Sequence, residues 1–222
     1  ITCRDWSSDV CSSDLLNVFV GDERNQRVCR FNSDLVFVDA VDFYDIDDPL
    51  KFGEPSGVGL NVHGEMWVAD RQRNRIAIFT TAGQFDRFIG EFGSRGGQVK
   101  NPEGIRVDAG GRFHVCDAGN GRVIVYDQYG NEVRTLANAA FAYPMSTIPL
   151  PNASWVIDGG SGQIFFCDRD GNILFMAGPN LPGNDRPLRE PSDIVLLPDG
   201  RLLIADTGNN RLLVCRVVSG SE

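Results

Sequence analysis

The sequence predicts an all-β protein assembled as a closed or curved array of repeated four-stranded antiparallel sheets. Three observations carry this: short apolar runs parted by turn residues, a proline and an aspartate that return at a nearly fixed period, and a basic residue five positions after most of those aspartates.

The unit is clearest over residues 55–102. Apolar runs at 58–60, 66–69, 76–79 and 85–89 are separated by turn residues at Gly64, at 71–74 and at Gly83, the pattern of four brief strands joined by tight hairpins. One such meander cannot bury both of its faces. Copies at a fixed period bury them by stacking on one another.

The copies align on Pro55, Pro102, Pro144 and Pro191, spaced 47, 42 and 47 residues apart. They align again on Asp70, Asp117, Asp158 and Asp206, which follow those prolines by 15, 15, 14 and 15 residues, and Asp22 stands 48 before Asp70. Arg27, Arg75, Arg122 and Arg211 lie five after their aspartates, with Gln163 in the remaining copy. Each aspartate ends a second strand, where its carboxylate is expected to accept from backbone N–H groups of the turn that follows. Each arginine opens the third strand and faces that carboxylate, a charge-assisted pair that pins hairpin register. A device present in every copy reads as structural, because chemistry needs it only once.

The segments WVADRQRNRIAIFTTAGQF, HVCDAGNGRVIVYDQYGNEV and LIADTGNNRLLV, with the link FGSRGGQVKNPEGI, resemble the NHL repeat, a class of β-propeller blade. The resemblance covers residues 16 to about 217 and implies a β-propeller of four-stranded antiparallel blades. Repeats then fall near 16–54, 55–101, 102–143, 144–190 and 191–222, with three, four, four, four and three strands. A truncated six-bladed parent is what the resemblance favours.

Residues 4–15, RDWSSDVCSSDL, match neither the repeat nor any apolar period and resemble a translated sequencing adapter. Residues 1–14 are therefore read as a non-native segment and left out of the fold argument. The chain then begins inside its first repeat, and its compartment is not legible. Removing Arg4, Asp5, Asp9 and Asp14 from the 21 basic and 30 acidic residues leaves 20 and 27, a net charge of −7. That balance disfavours nucleic acid, which needs clustered Lys and Arg against phosphate, and counts against the RNA binding known for some NHL proteins. No apolar run approaches the 18 residues of a membrane-spanning helix.

Cys29, Cys116, Cys167 and Cys215 fall on strands of four different repeats and read as small core residues, with no C-x-x-C among them. His63 lies in a first-to-second-strand turn and His114 in mid-strand, too few and too far apart for a zinc site with three converging ligands. Related zinc-dependent propeller lyases place histidines directly after the repeat proline. Here Ser56, Glu103, Met145 and Ser192 occupy those positions. Asp39, Asp42, Asp45, Asp47 and Asp48 lack the spacing of a calcium loop and read as a solvated link. Trp67 and Trp155, three before their aspartates, read as packing between blades, and no nucleophile elbow or phosphate loop is present.

In this topology the second-to-third-strand loops and the links entering each first strand share one face. Arg71, Arg73, Asn74 and Asn120 stand in those loops, and Ser56, Glu103, Arg106 and Ser192 follow the links. Loops on a rigid scaffold carry recognition, so these residues are the candidate binding set for a protein, peptide or small polar ligand, with no metal or other cofactor expected. The alternative is a metal-dependent lyase or lactonase-like hydrolase whose site lies partly in further blades.

Overall fold

The structure is a computed structural model that describes residues 10–12, 17–41 and 51–217. Nineteen strands form five antiparallel sheets, each a meander in chain order, with no α-helix among the described residues. Sheet 1 holds β1 (Val10–Ser12), β2 (Val18–Asp22), β3 (Arg27–Phe31) and β4 (Phe37–Val41). Sheet 2 holds β5 (Pro55–Leu60), β6 (Met66–Asp70), β7 (Arg75–Phe79) and β8 (Phe85–Ile89). Sheet 3 holds β9 (Pro102–Val107), β10 (Phe113–Asp117), β11 (Arg122–Tyr126) and β12 (Glu132–Ala137). Sheet 4 holds β13 (Pro144–Pro149), β14 (Ala153–Asp158), β15 (Gln163–Asp168) and β16 (Ile173–Ala177). Sheet 5 has three strands, β17 (Asp193–Leu196), β18 (Leu202–Asp206) and β19 (Arg211–Cys215).

The first sheet has four strands where three were expected. Its innermost strand comes from the segment set aside as non-native. The inner edge of β2 offers unpaired N–H and C=O groups, and a short extended segment satisfies them through backbone bonds that are indifferent to sequence. The acidic link of 42–48 lies outside the described residues. Asp39 is on β4, where its carboxylate pairs with Arg30 at 2.8 Å.

The sheets stand side by side as propeller blades. β5 packs beside β9, β9 beside β13 and β13 beside β17, and every residue of β5 is buried. Backbones converge there, and Gly59 shows how closely. A Cβ on it would meet Ile105 Cγ2 of the next sheet at 2.5 Å.

Burial lies in the seams between sheets. Phe19, Val28, Leu60 and Met66 fill the first seam, and Trp67, Ile78, Ile105, Phe113 and Tyr126 fill the second. Cys116, Val125, Val156, Phe165 and Cys167 fill the third, and Trp155, Ile157, Ile194 and Ile204 the fourth. Both tryptophans therefore pack between blades. Trp67 stacks on Phe113 with centroids 4.0 Å apart and planes 8° from parallel. Cys29, Cys116 and Cys167 are buried, and burial followed by the Asp168 charge pushes the Cys167 thiol up to about 11. Sheet 5 turns Leu212 and Val214 outward at 68% and 51% exposure.

Candidate functional site

The proline of each unit creates a local geometry that the site uses. Pro55, Pro102 and Pro144 lie opposite Asp70, Asp117 and Asp158, and the register shifts immediately after each proline. An extra residue in a bulge has no partner across the ladder, which re-aims Ser56, Glu103 and Met145 at the mouth where the inner strands begin.

Asp70, Asp117, Asp158 and Asp206 are fully buried, and each ties two segments together. Asp117 accepts from Lys100 N at 2.6 Å, from Arg122 Nε at 2.6 Å and from Asn120 Nδ2 at 2.9 Å. Asp70 takes Gly53 N at 2.9 Å and Arg75 Nε at 3.2 Å, and Asp206 takes Arg189 N at 2.8 Å and Arg211 Nε at 2.7 Å. Asp22 takes Arg27 Nε at 3.0 Å. The sequence-based expectation named the wrong backbone donors for these carboxylates. For Asp70, Asp117 and Asp206 they come from the link that precedes the blade, not from the following turn. Asp158, which faces Gln163, is the exception that uses both, accepting Tyr143 N at 2.8 Å and Ser161 N at 2.7 Å. The third-strand arginines extend the tie, since Arg122 also donates to Gln98 O and Arg75 to Lys51 O, each at 2.9 Å.

Around the mouth the candidate residues separate into two groups. Arg71 and Glu103 come together. Arg71 Nη1 lies 3.1 Å from Glu103 Oε1, its Nε 2.9 Å from Glu54 Oε2 and its Nη2 3.3 Å from Glu23 Oε2. The Tyr143 hydroxyl donates to Glu103 Oε1 at 2.9 Å. Four consecutive blades thus meet in one cluster of three carboxylates, one guanidinium and one phenol. Burial works against the Arg71 charge, but Glu103, Glu54 and Glu23 outweigh it and raise its proton affinity above that of free arginine. Burial lifts the Glu103 carboxyl above its usual range, with Arg71 and Tyr143 pulling the other way. Burial and then Glu103 raise the Tyr143 phenol. Glu23 Oε1 is buried with no hydrogen-bond partner.

The others are placed differently. Ser56 is buried and donates to Pro102 O at 2.7 Å, joining two blades. Asn74 takes the left-handed conformation (φ 52°) and accepts from Asn101 N at 2.8 Å, while Asn120 donates to Gly93 O at 2.8 Å. Arg73 is exposed in its loop, and Ser192 bonds Thr207 at the mouth of the fifth blade. Arg106 lies four residues beyond Pro102, opposite His114, and its Nη2 is 2.6 Å from Asp193 Oδ1 across the array.

Glu23, Glu54 and Tyr143 escaped the sequence reading. The signal was positional: the residue after each aspartate runs Glu23, Arg71, Ala118, Gly159, Thr207, and the residue before each proline runs Glu54, Asn101, Tyr143, Glu190. Such non-repeating residues at repeating positions mark a candidate site. Among the described residues no group of three or more His, Cys, Asp or Glu side chains is arranged to hold a metal ion. No helix among them is long and apolar enough to cross a membrane.

The sheets, their seams and the loop-bearing mouth define a β-propeller of the kind that presents varied loops on a rigid array. The family model for the NHL repeat matches residues 188–215. The chain is 29% identical over 131 residues to Protein brain tumor of Drosophila melanogaster, a match covering 58% of this chain and 13% of that protein. Residues 188–215 thus carry an NHL repeat within a β-propeller. The chain spans only a small part of the curated relative it matches. Among solved structures it is similar to a chain of the Nidogen/Laminin complex, with TM-score 0.70 and 17% identity over 93% of this chain and 74% of that one. It is also similar to a catalytically inactive virginiamycin B lyase from Staphylococcus aureus solved with Quinupristin. There the TM-score is 0.69 and the identity 15%, over 97% of this chain and 72% of that one. At these identities the likeness concerns the fold alone.

Proposed function

We propose that the chain is a binding scaffold that holds a protein, peptide or small polar ligand at the loop-bearing mouth. The observation that carries this reading is the convergence of Arg71, Glu23, Glu54, Glu103 and Tyr143 from four blades onto one half-buried spot. Every blade is already held by its own aspartate tie, so the cluster is not needed to close any hairpin. It concentrates polar groups where the scaffold is stiff, and Arg73 in the same loop stands exposed beside it. The lyase alternative draws on fold likeness alone, and fold does not carry function.

Partner capture with the purified chain tests the proposal. Replacing Arg71 and Arg73 with Ala together is expected to weaken the captured partner about tenfold or more, as loss of a charge-assisted pair does. Replacing His63 and Arg201, both in turns on the opposite face, is expected to leave affinity unchanged. Loss of binding with the second pair alone moves the site to the other face.

A further inference from the structure

The third seam breaks a pattern that its neighbours keep. In sheet 2 the residues directly opposite one another across β6, β7 and β8 are Trp67, Ile78 and Arg87; in sheet 4 the same row reads Trp155, Phe166, Phe175. In sheet 3 it reads His114, Val125, Arg134. Directly opposed residues share a face, and Val125 packs against Val156 and Phe165, so this row looks into the seam with sheet 4. Facing it is Ser154, four before Asp158, at the position where Phe113 supplies the other half of the tryptophan stack one seam earlier. Ser154 shares its face with Cys167, its partner across the ladder and a member of the same seam.

A histidine and a serine thus replace a stacked aromatic pair at a depth where His114 is 1% and Ser154 2% exposed. The exchange leaves unmet hydrogen-bonding groups. His114 Nε2 is 3.2 Å from Asp108 Oδ2, while its Nδ1 is buried without a partner. Burial, only partly countered by Asp108, keeps this imidazole neutral at pH 7, so Nε2–H donates to Asp108 and Nδ1 presents a bare lone pair. Arg134 Nε, two strands away in the same row, is a buried donor without a partner. Arg112 borders the group, bound to Asp108 at 2.8 Å, and Arg169 in the β15–β16 turn is close enough for its charge to bear on Arg134.

An unmet acceptor and an unmet donor in one row, with the charges of Arg134 and Arg112 bearing on the imidazole and that of Arg169 on Arg134, are complementary to an oxyanion that still carries a proton. We propose that this turn-side end of the seam between sheets 3 and 4 binds a phosphate group, with Arg134, Arg169 and Arg112 on its charged oxygens and His114 Nδ1 accepting from its P–OH. Neighbouring seams need no such ligand because aromatic rings fill them. The site lies away from the mouth, on the face of the first-to-second-strand turns, and stands independently of the binding reading above.

The test follows the thermal unfolding midpoint and the His114 ring resonances at about pH 6, where phosphate retains a proton. The ligands are inorganic phosphate, phenyl phosphate and sulfate, which carries no proton there. Phosphate is expected to raise the midpoint and move the His114 resonances, and sulfate to do so at least about tenfold less effectively. Arg134→Met is expected to weaken phosphate by about tenfold or more. His114→Trp, which restores the residue of the neighbouring blades, is expected to fold and to lose the preference for phosphate over sulfate. A response to phenyl phosphate that exceeds the response to the free ion supports a phosphomonoester as ligand, and the reverse supports the ion itself. Equal responses to sulfate and phosphate, or a phosphate response unchanged in Arg134→Met, overturn the proposal.

Discussion

Arg71 reaches out of its own blade to place Nη1 3.1 Å from Glu103 of the next, and Glu103 is 3% exposed. Holding a carboxylate that deep requires the guanidinium and the Tyr143 hydroxyl together, since burial alone drives it toward its neutral form. Arg71→Ala is therefore expected to destabilise the fold by about 1–3 kcal/mol, the cost of leaving a buried carboxylate short of its partner. Adding Glu103→Gln should recover part of that loss. Chemical denaturation of the two single variants and the double variant measures the coupling.

A buried Asp-x4-Arg tie predicts a larger effect. Asp117 is fully buried and receives three donors from the link, the turn and β11. Asp117→Ala is expected to cost about 3 kcal/mol, and Arg122→Ala about 1–2 kcal/mol because other donors still hold the aspartate. Melting curves give both values. An Asp117 variant with an unchanged midpoint contradicts the structural role.

His114 sets an acid limit on stability. Burial first, against the opposing pull of Asp108 and with help from Arg134 and Arg112, holds its pKa below the ordinary value. The unfolded chain therefore takes up this proton first as pH falls. The contribution is fully present above about pH 6.5 and declines below it until the lower folded pKa is reached. In phosphate-free buffer His114→Phe is expected to flatten the decline of the melting midpoint between about pH 7 and pH 5.

The outer face of sheet 5 predicts association. Leu212 and Val214 are exposed there on β19, a strand paired on one side only among the described residues. Light scattering is expected to show concentration-dependent oligomers, and Leu212→Glu with Val214→Glu to suppress them. A monomer at all concentrations contradicts this.

What the sequence revealed follows from repetition. Alternating strands, the aspartates and the facing arginines recur in copy after copy, and each copy confirms the next, so the blades and ties were legible before the structure. The donors to Asp117 were not, because Lys100 N is a backbone group 17 residues upstream with no side-chain signature. The mouth was half legible. Arg71 and Glu103 stood out as charged residues near loops, but Glu23, Glu54 and Tyr143 join them only because four blades bring their ends together. Arg106 was grouped with the mouth by its nearness to Pro102, but strand rise carries it toward the other end of β9. The first blade's inner strand came from backbone pairing, which leaves little trace in side-chain pattern.

The central claim is that partners meet the mouth, and amide hydrogen exchange on the chain bound to a captured partner tests it most directly. The account predicts protection in the second-to-third-strand loops at 71–74, 118–121, 159–162 and 207–210. It predicts none in the opposite turns at 61–65, 108–112 and 197–201. Protection confined to the second set, with the Arg71 loop exchanging as in the unbound chain, contradicts it.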